Sequence, residues 1–176
     1  MAQRRIWFDR KFELGLPIQA FPDILERVRG TPGRLEERLH GHAQQILVHR
    51  IDNAWSIQEN AGHLLDLESL WKTRIDQLLA GTPQLQPADL QNRRTHEANH
   101  NARAVAEILT AFRRARSAII SRLEAMTPLQ LSAQALHPRL QQPMTAVDLS
   151  FFVAEHDDHH LARITQILKH INGLKG

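Results

Sequence analysis

The sequence predicts an all-α fold, an antiparallel four-helix bundle with a long crossover between its second and third helices. Three observations lead there. Apolar residues recur at helical spacing in four segments, capping and stop signals bracket those segments, and no run has the two-residue alternation of a half-buried strand. A chain of 176 residues is near the usual size of one domain and long enough to bury a core without disulfides.

The elements follow in order. Residues 1–30, with Gly15, Pro17 and Pro22 among aromatic and apolar residues, are expected to form an ordered arm packed on a bundle domain of residues 31–176, with a short helix over Pro22 to Arg29. Thr31-Pro32 reads as an N-cap followed by proline at the first helical position, so the first helix is expected from there through Leu35, Leu39, Ala43 and Ile46 to about Val48. Ser56 and Glu59 form a capping box for the second helix, whose stripe runs through Ile57, Leu64, Trp71, Ile75 and Leu78 to a terminal Gly81. Residues 81–99 are polar, with two prolines, and form the crossover. The third helix spans about Asn101 to Met126, and Thr127-Pro128 then caps a short turn. LHPRLQQP reads as a loop, and the fourth helix starts at Thr145, with Asp148 as capping partner, and stops at Asn172-Gly173.

Composition removes several functions. The 22 basic and 19 acidic residues are spread along the chain and leave a formal charge of +3 without a basic block, which argues against nucleic-acid binding. No apolar run is long enough to span a bilayer, and MAQRRIWFDRKFELG lacks the apolar core of a signal peptide, so a cytoplasmic setting and no membrane partner are expected. There is no cysteine, so any metal must be held by histidine and carboxylate.

The chain's 11 histidines are the informative residues. Helical projection puts His156 and His160 in the middle of the apolar stripe of the fourth helix, one turn apart, where both imidazoles can reach one ion. Asp157 and Asp158 project to the flank and the solvent side, and His159 lies nearer the edge. As two core histidines without a metal, the pair needs partners for four ring nitrogens in an apolar layer, each unsatisfied one costing roughly 1 to 3 kcal/mol. A facing helix must add a ligand, and His63, at the edge of the second stripe, is the candidate; periodicity is equally compatible with a half-wet rim histidine. His40, His42, His49, His96, His100, His137 and His170 are expected at the surface. Glu68 and Arg116 fall on the apolar faces of the second and third helices. They are either an interhelical ion pair or catalytic groups beside the metal, Glu68 moving a proton or Arg116 holding an anion. Trp55 and Trp71 read as core or cap residues.

At WSIQENAGHLLDLESLW and EHDDHHLARITQIL the sequence resembles the DinB/YfiT-like superfamily, and the similarity extends to RKFELGLP and RGTPGRLEERL. That resemblance implies a four-helix bundle with a long crossover, a nickel or zinc ion on His63, His156 and His160 with water completing the shell, and a homodimer. It also implies a metal-dependent hydrolase, or a transferase acting on a small-molecule substrate through a low-molecular-weight thiol. A metal-binding module without turnover remains the alternative.

Overall fold

The computed structural model describes residues 5–173. Its helices are α1 (Phe21–Leu39), α2 (Gln44–Leu47), α3 (Ile57–Leu79), α4 (Arg93–Glu97), α5 (Val105–Glu124), α6 (Pro128–Leu131) and α7 (Ala146–Gly173), with a hairpin of β1 (Gln134–His137) and β2 (Gln142–Thr145) before α7. The long helices α1, α3, α5 and α7 form the bundle, α1 and α3 each packing against both α5 and α7.

Cross-helix partners fix the directions. Arg27, Thr31 and Arg34 of α1 meet Glu155, Asp157 and Asp158 of α7 in the same order, so these two run parallel. Glu68 and Asp76 of α3 meet Arg116 and Arg122 of α5, again in the same order. Glu36 pairs with Arg113, and Arg29 with Glu124, so α1 and α5 are antiparallel. The order is up, down, down, up. Two parallel neighbours in sequence need a connection that returns along the whole bundle, and residues 80–104 supply it. The connection retraces α3 from its C-terminus: Gln86 bonds Gln77 and Arg74, Arg94 bonds Ser69, Thr95 bonds Asp66, and Asn101 bonds Ser56.

The second helix keeps its expected signals. Ser56 and Glu59 close the capping box of α3, and Gly81 takes φ +67°, a left-handed conformation that glycine adopts without steric cost. Thr145 and Asp148 likewise bond reciprocally at the start of α7, and Asp148 also accepts from the backbone of Gly15 and Leu16, tying the N-terminal segment to the bundle.

The first helix differs from expectation. It starts ten residues earlier, at Phe21, with Pro22 in its first turn, and passes straight through Pro32 to end where Gly41 turns at φ +75°. The boundary expected at residue 30 therefore falls inside α1. Proline inside a helix costs about 3 kcal/mol because the carbonyl four residues back loses its donor. Here that carbonyl is Val28 O, and Arg116 Nη1 of α5 donates to it at 3.1 Å. Thr31, read as a cap, is instead a buried residue 2.7 Å from Asp157 Oδ2. Ile46 and Leu47 belong to the separate turn α2. The segment expected as a loop before α7 forms the hairpin, its strands in register from Gln134 opposite Thr145 to His137 opposite Gln142.

Two apolar clusters fill the interior. One takes Val28, Trp71, Ile75, Ile119, Phe152 and Val153, the other Leu35, Leu64, Ile108, Phe112, Leu161 and Ile164. On each long helix the residues of one cluster precede those of the other, and a polar belt lies between them: Thr31, His63 to Glu68, Arg116, and His156 to His160. No helix among the described residues is long and apolar enough to cross a membrane.

Candidate metal centre

The belt holds two groups. In the first, the ring nitrogens of His63, His156 and His160 converge, with one atom from each all within 4.8 Å of one another, and no fourth histidine or carboxylate joins them among the described residues. All three residues are buried. His63 is thus an inward ligand candidate and not a rim histidine.

Hydrogen bonds set the ring tautomers. Asn60 Nδ2 donates to Ser56 O at 2.7 Å, so its Oδ1, 2.9 Å from His160 Nδ1, must accept the imidazole N–H. Thr95 Oγ1 donates its one proton to Asp66 Oδ2 at 2.9 Å, so it accepts from His63 Nδ1 at 3.0 Å. Both rings therefore carry their lone pair on Nε2, the orientation that outer partners impose on metal-binding histidines. His156 Nδ1 is buried without a hydrogen-bond partner. Orphaned polar nitrogens are rare in folded proteins, and coordination explains one. Burial keeps His63 and His156 neutral: it lowers the pKa of His63 to about 4 and that of His156 well below its usual value. Neutral imidazoles at this distance fit a divalent ion, which would hold them about 2.0 to 2.1 Å from itself.

Asp66 anchors this arrangement from behind. Burial opposes its charge, but hydrogen bonds from His100 Nε2 at 2.8 Å and from Thr95 hold its carboxyl below the usual range. His100, expected at the surface, is buried with its ring packed against Gly62, where a Cβ would come within 2.2 Å of it. Gly62→Ala is accordingly expected to displace His100 and lower stability by about 1–3 kcal/mol, seen as a drop in Tm, together with weaker metal binding as Asp66 and Thr95 lose their hold on His63.

The pKa of His63 gives a further expectation. The unfolded chain takes up a proton near pH 6.5, while the folded ring resists until about 4. Stability of the chelator-treated protein should be full above the first value and fall as pH drops toward the second, by about 3 kcal/mol from this ring alone. Urea titrations across that range check this, and a flat profile would contradict the burial.

The second group is Glu68, Arg116, Asp157 and Thr31, one residue from each long helix. Arg116 Nε and Nη2 donate to Glu68 at 3.1 and 2.6 Å, and Nη1 and Nη2 donate to Asp157 at 2.5 and 3.2 Å. With Val28 O this occupies the guanidinium's five N–H donors. Burial opposes the Arg116 charge, yet Asp157 and Glu68 outweigh it and keep the group protonated. Burial also raises the pKa of Glu68 against the pull of Arg116. Asp157, expected at the flank, is fully buried because α1 covers that side of α7. Neither Glu68 nor Arg116 is among the residues lining the cavity described next; the structure gives them the ion pair.

The three histidines open onto a cavity of about 510 Å³. Its walls come from segments that carried no signal in the sequence: Trp7 from the N-terminal segment, Pro87 to Leu90 from the crossover, and His137 and Arg139 from the hairpin. Trp55 and Trp71 line it as well, with ring centres 4.7 Å from His63 and 5.8 Å from His156. Arg74 had a legible signal, since it lies three residues after Trp71 and four before Leu78 on the apolar stripe of α3.

Fold and site together define a helical bundle with a buried, histidine-only centre able to hold a metal ion beside an open cavity. Residues 27–164 match the profile of the DinB superfamily, and the chain belongs to that superfamily. In structure it is similar to YfiT from Bacillus subtilis, described as a probable metal-dependent hydrolase with an unusual four-helix bundle topology, at a TM-score of 0.80 and 18% identity over 93% of this chain and 94% of that one. A search of curated proteins gave no match.

Proposed function

We propose that this protein is a metal-dependent enzyme in which His63, His156 and His160 hold one divalent ion and a low-molecular-weight thiol is transferred to a small electrophilic substrate. The observation that carries this reading is three buried imidazoles beside a cavity, without a fourth histidine or carboxylate among the described residues: structural sites are closed, whereas catalytic ones keep a position open. Three neutral ligands leave the ion its full double charge, which lowers the pKa of a bound thiol or water. The chain's own part is positional. Asn60 and Thr95 hold the rings, Trp7, Trp55 and Trp71 shield the centre from bulk water, and Glu68 and Arg116 brace α3 against α5 through their ion pair.

Hydrolysis by bound water is the second reading, supported by the description of YfiT. Nickel or zinc as the ion, a homodimer and a cytoplasmic setting come from the family resemblance alone. The test incubates metal-loaded protein with glutathione, bacillithiol or mycothiol and an electrophile, and in parallel with an ester and no thiol. Thiol-dependent turnover lost in His160→Ala supports transfer, and ester cleavage lost in the same variant supports hydrolysis. Rates unchanged by the substitution overturn both.

A further inference from the structure

Part of the cavity wall is cationic and, among the described residues, lacks a carboxylate counter-charge. Arg74 is 1% exposed, and neither it nor Arg139 has a carboxylate partner among the described residues. Aromatic faces hold both guanidinium groups: Arg74 lies 5.4 Å from the centre of Trp71, and Arg139 lies 5.9 Å from Phe152. The acid on the cavity wall, Asp89, is occupied by the backbone N–H groups of Gln91 and Arg93 at the start of α4. Arg139 Nη2 is buried with no hydrogen-bond partner.

His137 makes the deficit sharper. Leu140 N donates to its Nδ1 at 3.1 Å, and Arg74 Nη1 lies 3.2 Å from its Nε2. A neutral imidazole has a single acceptor nitrogen, so one of these contacts sets donor against donor whichever tautomer the ring takes. Burial, then the charges of Arg74 and Arg139, lower the pKa of His137 to about 4 and keep it neutral. Arg74 Nε donates to Gln86 O at 2.9 Å. With Leu140 donating to Nδ1, however, the ring N–H sits on Nε2 facing the Nη1 N–H of Arg74, and an acceptor placed between these two donors would satisfy both.

We propose that Arg74, His137 and Arg139 form a subsite for an oxyanion, a carboxylate or a phosphate ester, on the molecule whose reacting end meets the three histidines. Two guanidinium groups and an imidazole N–H supply charge-assisted donors of the kind that recognise such groups. Trp71 lies under Arg74 and beside His156, so one aromatic ring separates the subsite from the metal-ligand candidates. The substrate is thereby narrowed to an anionic one. The inference rests on the proposed enzymatic reading for its purpose, but its test does not require the metal.

Trp7, Trp55 and Trp71 all line the cavity, so tryptophan fluorescence reports on its contents. Chelator-treated and metal-loaded protein are titrated separately with inorganic phosphate and with succinate. The expected result is a saturable change with at least one probe in both forms, weakened about tenfold or more in Arg139→Gln while Tm stays near wild type. The probe that saturates identifies the source, phosphate ester or carboxylate. Arg139 is half-buried, so this variant keeps the test valid if Arg74→Gln does not fold. No saturable change with either probe, equal affinity in Arg139→Gln, or binding that disappears on metal removal overturns the subsite. Failure of the metal reading shows separately, as purified protein without metal whose anion titration is intact.

Discussion

His156→Ala is expected to reduce metal affinity by more than the roughly 10–100-fold that loss of an outer hydrogen-bonding partner costs, and to leave purified protein without stoichiometric metal. Its ring lies 4.6 Å from that of His160 and 5.4 Å from that of His63, and among the described residues no carboxylate is placed to take over. Thr95→Val is the graded companion. It keeps all three imidazoles but leaves His63 Nδ1–H without its acceptor, so affinity should fall by about 10–100-fold while the fold survives. Metal content and competition titration against a chelator check both variants. Equal metal retention in wild type and His156→Ala would remove the centre.

Arg116→Ala carries the largest expected loss of stability, about 3–5 kcal/mol, because it strands Glu68 and Asp157 in the interior and takes the donor from Val28 O. The last point links it to Pro32: without Arg116 the unpartnered carbonyl inside α1 has no substitute donor. The deficit should grow as pH rises. Burial already raises the folded-state pKa of Glu68 above its unfolded value, so the folded state holds the extra proton and ionisation at higher pH favours unfolding. Loss of Arg116 removes the opposing attraction and enlarges the effect. Denaturant titrations at mildly acidic and mildly alkaline pH, read for the difference between variant and wild type, check this; a loss below about 1 kcal/mol would place the pair among weak surface bridges.

Helices whose signals lie within a few residues were legible. Ser56 with Glu59, and Thr145 with Asp148, start α3 and α7 as expected, because a capping box is a reciprocal bond across one turn. Misreadings arose where a local signal competed with a distant partner. Thr31-Pro32 has the local form of a helix start, and only Arg116, more than eighty residues away in sequence, lets the helix run through it. Asp157 is a helix-flank carboxylate by projection, and His100 a linker histidine, until α1 covers one and Gly62 receives the other.

By itself the sequence determined four amphipathic helices, the long return between the middle two, and a pair of histidines one turn apart in an apolar stripe. Each is a matter of spacing and capping encoded over a few turns. The tertiary structure alone decided that His63 faces that pair, that Glu68, Arg116 and Asp157 close into one buried network, and that the hairpin, crossover and N-terminal segment wall the cavity. Those outcomes depend on which groups lose water together, and desolvation is set by chain segments remote in sequence that meet only once the bundle has formed.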